Sequence, residues 1–251
     1  MLHAPYGRSA IVVYLILAAL ISGCGNKSQR IVDKAIEVHG GRNFNSFVLE
    51  FDFRNRHYTA SRDNGMFSYS REFEDSTGNI RDVLNNDGFT RYRNGAVADI
   101  PEERKQAFTR SVNSVIYFAL LPFGLNDDAV NKEWIEETTI RSEPYQLVRV
   151  TFDQAGGGED HEDVFLYWFH NDHGTMDYFA YSYNTEGGGL RFREAIKRHK
   201  VGGILLQDYV NYRPKDEMVS IDSLLPMFLD GRLIKLSEIN LENISVSGHS
   251  D

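Results

Sequence analysis

Cysteine occurs once in the 251 residues, at Cys24. A single thiol forms no internal disulfide and gives no thiolate set for zinc or an iron–sulfur cluster. Basic side chains are the minority charge, with 27 Lys and Arg against 36 Asp and Glu, a net charge of −9. Phosphate backbones need a concentrated basic surface, so no nucleic-acid partner is expected. Catalytic signatures are also missing. There is no nucleophile elbow, no HExxH pair and no phosphate-binding glycine loop ahead of a helix. Ser, His and Asp all occur, but no spacing selects a triad. No catalytic residue and no cofactor are therefore expected.

Long apolar runs are scarce as well, except near the N-terminus, where AIVVYLILAALI follows Arg8 and precedes Ser22-Gly23-Cys24. Twelve residues are too few for a permanent helical span, which needs about 20. The small residues after the run suit a processing enzyme that grips an extended chain. Ile21-Ser22-Gly23-Cys24 resembles the lipobox of bacterial lipoproteins. That resemblance implies a signal peptide over residues 1–23, lipidation at Cys24 and a polar tether over 24–29, and the remaining length is that of a single domain over 30–251. Two or more acyl chains anchor stably where one is marginal. Losing Arg8 and no acid moves the charge from −9 to −10. The absence of an acidic run after the cysteine favours the outer membrane facing the periplasm, with the cell surface as the alternative.

Past the tether, Ile31, Val32, Ala35 and Val38 keep helical spacing up to Gly40-Gly41. The period then becomes 2: Phe47, Leu49, Phe51 and Phe53 alternate with Val48, Glu50, Asp52 and Arg54, a strand with one apolar face. Turn signals at Asp63-Asn64-Gly65, Thr77-Gly78-Asn79, Asn86-Asp87-Gly88 and Arg93-Asn94-Gly95 predict an antiparallel meander of about four strands. A second helix starts at Pro101 with Glu102 and Glu103 in its first turn. It carries the stripe Phe108, Val112, Val115, Ile116, Ala119 and Leu120, and ends at Pro122 and Gly124. About six or seven strands follow, and SLLPMFL and RLIKLSEI read as strand-like at their centres. The expected class is mainly β (α+β): a strongly curved antiparallel sheet or incomplete barrel with an N-terminal helix and a central plugging helix.

The strands VFLYWF and YFAYSY are apolar on both faces, so each must cover something on each side. Helix, strands, helix, strands behind a lipobox resembles the LolA/LolB-type lipoprotein carriers. In that family an unclosed curved sheet holds plugging helices on its concave face, and that face binds acyl chains. AYSY…GGGLRFREA (Ala180 to Ala195) and QDYVNYRP (Gln207 to Pro214) resemble an uncharacterised lipoprotein family of Bacteroidota-type bacteria, which implies no activity.

The most tempting chemistry lies in GGGEDHEDVFLYWFHNDHGTMDY, Gly156 to Tyr178, with three histidines and six carboxylates. Read as a hairpin, it sets His161 about 30 Å along a strand from His170 at roughly 3.3 Å per residue. Ligands of one metal lie near 2 Å from it, so these two cannot share one. His170, Asp172 and His173 gather at one turn, with His199 expected at the same sheet end. Turn chemistry accounts for them without a metal. At the other end, Glu159, Asp160, Glu162 and Asp163 approach Glu186, Arg191 and Arg193, as an exposed network or as a headgroup site at a cavity mouth. If Gly202-Gly203 make a two-residue hairpin, Val201 pairs with Ile204 and Lys197 with Asp208. The same count puts Arg191 and Arg193 on the face of Asp208, Val210 and Tyr212.

These readings converge on a non-catalytic lipoprotein that binds a lipid, acyl chain or other apolar molecule. The expected cavity walls are Phe51, Phe53, Phe67, Tyr69, Phe165, Tyr167, Phe169, Tyr178 and Tyr181. Phe108, Val112 and Ile116 form the expected lid, with Arg191, Arg193 and Asp208 at the mouth. One alternative is a structural or interaction module with an envelope protein partner and no cavity. Another is a metal-dependent hydrolase built on His170, His173 and His199.

Overall fold

The computed structural model describes residues 27–155, 161–184, 187–216 and 218–248. The expected signal peptide and lipidation site Cys24, with Glu159, Asp160 and Glu186 of the expected acidic network, lie outside the described residues. Among the described residues, fourteen strands form two seven-stranded antiparallel sheets, neither closed on itself. The first is a meander of β1 (Ser46–Phe53), β2 (Arg56–Asp63), β3 (Met66–Asp75), β4 (Gly78–Asn85), β5 (Gly88–Arg93) and β6 (Ala96–Val97). Its other edge is extended by β14 (Glu242–Ser247), which pairs with β1. The second runs in chain order through β7 (Val130–Ile140), β8 (Glu143–Phe152), β9 (Val164–His170), β10 (Met176–Tyr183), β11 (Gly189–Val201), β12 (Ile204–Arg213) and β13 (Ile234–Ile239). The expected mainly β class, an open curved antiparallel architecture with helices, is the one found. The first meander has two more strands than expected because the short β5 and β6 continue it.

The hairpins form where the sequence allows positive φ. Asn64-Gly65 has φ of 47° and 96°, and Asn94-Gly95 has 49° and 82°. Type I′ turns need positive φ at both central residues, and their twist matches that of the flanking strands. The sheets join between β13 and β14, at Asn240-Leu241. There the buried Asp208 carboxylate accepts a hydrogen bond from the Leu241 amide at 2.9 Å.

Helix α1 covers residues 27–39, so it begins inside the stretch expected as tether. Ser28 is buried and its Oγ donates to the Lys132 carbonyl at 3.0 Å. Val32 and Ala35 are wholly buried against Val148, Val150, Tyr167 and Phe169 of the second sheet. His39 ends the helix inside the protein. Its Nδ1–H donates to the Leu205 carbonyl at 3.2 Å, and its Nε2 accepts from the Met176 amide at 3.3 Å.

Helix α2 (Glu102–Leu120) lies on the first sheet, with Val112, Ile116, Ala119 and Leu120 buried against Leu49, Phe51, Tyr58 and Phe89. Beneath it, Asp82 is wholly buried between two arginines. Arg71 donates from Nε and Nη2 to Asp82 Oδ2, and Arg91 donates from Nε to Oδ1 and from Nη2 to Oδ2. The free end of Arg71 donates from Nη1 to Ser111 Oγ of α2 at 2.6 Å, while Arg91 lies 3.5 Å from the ring centre of Phe108. The cluster ties the helix to the sheet.

SLLPMFL is helical rather than strand-like: α3 spans Leu224–Leu229. Leu224, Leu225 and Phe228 fall on one helical face, and Pro226 sits in the first turn, where a missing N–H has no intrahelical bond to lose. This helix explains the two-faced strands. On β9, Leu166 and Trp168 face the α3 side with Leu224 and Phe228, while Phe165, Tyr167 and Phe169 face the α1 side. Phe228 alone stacks on Phe192 at 4.6 Å, meets Tyr212 at 5.4 Å and Tyr178 at 5.9 Å. Burial of one such ring contributes about 1.5–3 kcal/mol.

Asp82→Asn leaves two buried guanidinium groups without their carboxylate, and is expected to cost about 3–5 kcal/mol of unfolding free energy in urea. An unchanged midpoint would show that the cluster does not hold α2. His39 has its pKa lowered from 6.5 to about 4, first by burial, with Arg198 adding to the drop and the Leu205 carbonyl and Asp177 opposing it. The unfolded chain takes up this proton near 6.5 and the folded chain only near 4. The contribution is therefore complete above pH 6.5 and lost as pH falls from 6.5 to 4, by roughly 3 kcal/mol. Urea midpoints across pH 4–7.5 should show a shallower acid slope in His39→Gln than in the native protein. Equal slopes would contradict this assignment.

Candidate functional site

While one face of α2 is packed on the first sheet, its opposite face meets the second through Tyr117 and Phe118 near its C-terminal end. Between them lies an open groove of about 940 Å³. The helix contributes Gln106, Arg110, Asn113 and Tyr117, spaced by four, three and four residues, together with Thr109, Ser114 and Phe118. The second sheet contributes Phe152, Phe165, Tyr181, Arg191, Arg193, Gln207, Tyr209 and Asn211. Phe53, Leu84, Ile239 and Leu241 also line the groove.

The aromatic wall is continuous. Phe118 lies 5.8 Å from Phe179, 5.2 Å from Tyr181 and 6.3 Å from Phe165, and Phe165 stacks on Tyr181 at 5.2 Å. Burial pushes the Tyr117 phenol up to about 12 and raises Tyr209 as well. Neither phenol is an acid or base near neutrality.

Five of the expected site residues line this groove: Phe53, Phe165, Tyr181, Arg191 and Arg193. The expected lid requires correction. Val112 and Ile116 are wholly buried on the first sheet and Phe108 packs beside them, so the groove meets the opposite side of α2. Phe51, Phe67 and Tyr69 belong to that same packed layer. Tyr167 and Phe169 are covered from the α1 side, and Tyr178 stands on the α3 face. Asp208 is at the sheet junction, with His199 Nε2 2.9 Å from its Oδ2.

Register decides where the arginines point. Val201 pairs with Ile204 and Lys197 with Asp208, as the hairpin count predicts. Between Ala195 and Lys197 the register then shifts, because Ile196 is an extra residue in β11. Such a bulge re-aims every side chain beyond it. Arg193 therefore faces Asn211 rather than Tyr212, and shares the groove side with Tyr209 and Gln207. Glu194, on the opposite side, bonds Arg141 and Tyr212.

The histidine turn is built by backbone contacts. His170 Nδ1 accepts from the amides of Asp172 and His173 at 3.1 and 3.3 Å, and the two rings lie 4.4 Å apart. His199 is engaged with Asp208 instead. Among the described residues, no three His, Cys, Asp or Glu side chains are grouped to hold a metal ion. No helix among them is long and apolar enough to cross a membrane.

The groove residues that sequence reasoning missed are mainly polar: Gln106, Thr109, Arg110, Asn113 and Ser114 of α2, with Gln207 and Asn211 of β12. Their helical stripe is visible in the sequence, but a polar stripe ordinarily marks a solvated face. Gln207, Tyr209 and Asn211 alternate correctly for one strand face, and only the bulge pairs that face with Arg193.

The sequence profile of a family of unknown function, DUF6503, matches residues 9–241. No curated protein matches the sequence. Among solved structures, the chain is similar to a LolA superfamily protein from Nitrosomonas europaea, at 10% identity and a TM-score of 0.46, over 88% of this chain and 91% of that one. It is also similar to a DUF1329 family protein from Desulfovibrio piger, at 12% identity and a TM-score of 0.45, over 87% of this chain and 92% of that one. An uncharacterised family, expected from the sequence, is thus the one whose profile matches.

Proposed function

The chain belongs to the family of unknown function DUF6503, and we propose that it is a non-catalytic, membrane-anchored lipoprotein that binds a lipid, acyl chain or other apolar molecule. The groove between α2 and the second sheet carries this reading. Its volume of about 940 Å³ falls in the range of pockets that enclose small ligands, and its walls combine aromatic rings with a few polar groups. In this reading Phe118, Phe165 and Tyr181 contact the apolar part of the ligand. The lipobox at Ile21 to Cys24 supports an anchor at Cys24, with the outer membrane facing the periplasm as the location and the cell surface as the alternative.

The interaction-module reading has one observation on its side. Ile234 and Leu236 of β13, the edge strand of the second sheet, are 39% and 42% exposed, and an open edge with apolar side chains is a site for pairing. It concerns a different surface from the groove.

Native mass spectrometry of protein purified without harsh extraction is expected to show bound lipid, and the emptied protein to take up a fluorescent fatty-acid analogue. Thr109→Trp, on the groove face of α2 and away from its packed stripe, should weaken uptake about tenfold. A folded Thr109→Trp protein with undiminished uptake would place the ligand elsewhere. Cys24→Ala is expected to abolish both the added acyl mass and recovery in the membrane fraction. Recovery of that variant in membranes would remove the anchor from the reading.

A further inference from the structure

Arg193 differs from the other buried arginines of the protein. It is 8% exposed, deeper than many apolar side chains of the same sheet. Arg71 and Arg91, equally buried, share the Asp82 carboxylate. Arg193 has no carboxylate within ion-pair reach among the described residues. Its Nη2 donates to Tyr181 Oη at 3.1 Å, and its Nε is enclosed without a hydrogen-bond partner. Its guanidinium lies 4.1 Å from the ring centre of Phe118 and 5.3 and 5.4 Å from those of Phe179 and Tyr181. Cation–π contacts offset part of the desolvation of a buried guanidinium, but they do not use its in-plane donors.

The neighbouring face of β12 repeats the pattern. Gln207 is 3% exposed, and neither its amide nitrogen nor its amide oxygen has a partner. Asn211, directly across from Arg193, has its Oδ1 enclosed and unpartnered too. Buried polar groups left unpaired carry the full penalty of their lost hydration. A cluster of them facing a groove is a prepared contact surface rather than ordinary core.

In a chain of net charge −9, Arg193 places a buried cation at this groove. A purely apolar cargo would gain nothing from this arrangement.

We infer that the groove recognises an amphiphile with an oxyanion head, carboxylate or phosphate ester, which Arg193 binds while Gln207 and Asn211 take polar atoms next to the head. This deepens the apolar-ligand reading and rests on it. The tail lies along Phe165, Tyr181 and Phe118, and the head sits where the bulge at Ile196 turns Arg193 inward.

Calorimetric titration of the full chain carrying Cys24→Ala, so that its own acyl groups do not compete, tests this with three probes below their micelle concentrations. They are dodecanoate, dodecyl phosphate and the neutral dodecanol. At least one anion should bind about tenfold more tightly than the alcohol, and the tighter anion identifies the head as carboxylate or phosphate. Arg193→Gln should remove that preference and leave dodecanol binding within about twofold, while Arg193→Lys should keep part of it. Gln207→Leu should weaken anion binding without changing the melting temperature of the free protein by more than its core packing explains. Equal binding of anion and alcohol would overturn the head-group inference and leave the apolar reading standing. Equal loss for all three probes in Arg193→Gln would do the same, by making Arg193 a structural residue. No binding of any probe would overturn both.

Discussion

The groove exists because most of α2 is held down on the first sheet. Asp82 accepts four hydrogen bonds from Arg71 and Arg91, and those arginines continue upward to Ser111 and Phe108 on the helix. Removing one partner from such a buried network strands the remaining charges, so the helix cannot leave the first sheet cheaply. The second sheet is meanwhile held by α1 on one face and α3 on the other. With both walls fixed by separate packing layers, the space between them does not collapse into a single core.

The same division explains why one helix can look like a plug without acting as a lid. Val112 and Ile116 are spent on the first sheet, and the side of α2 that meets the groove is polar from Gln106 to Ser114 and apolar at Val115, Tyr117, Phe118 and Ala119. A ligand there would meet rings on one wall and hydrogen-bonding side chains on the other. That suits an amphiphile better than a bare hydrocarbon chain, and it matches the unpaired nitrogens and oxygens of Arg193, Gln207 and Asn211. The sheet junction is kept shut by a different device, the Asp208 carboxylate bonded to the Leu241 amide beside His199.

Local rules in the sequence already settled much of the architecture. Alternation in Phe47 to Phe53 gave β1, Asn-Gly pairs gave the hairpin turns, and Pro101 with its acidic neighbours gave the start of α2. The double-sided VFLYWF demanded a cover on each face, and α1 and α3 are those covers. Even the pairing of Lys197 with Asp208 followed from the two glycines of the turn. These features depend on residues near one another in the chain, where backbone sterics and side-chain period act directly.

Tertiary structure alone decided which of those side chains share a space. One extra residue at Ile196 reversed the faces of Arg191 and Arg193, because a strand has a period of two and a slip of one inverts it. The lid residues named from the apolar stripe of α2 went to the core, since apolar area is buried wherever packing is tightest, while the polar stripe was left for the groove. The three histidines expected at one sheet end, His170, His173 and His199, became a turn cap and a separate partner for Asp208. The chain determined its strands, its turns and its need for two covering layers by local periodicity; the groove and its buried arginine arise only where long-range contacts fix two sheets apart.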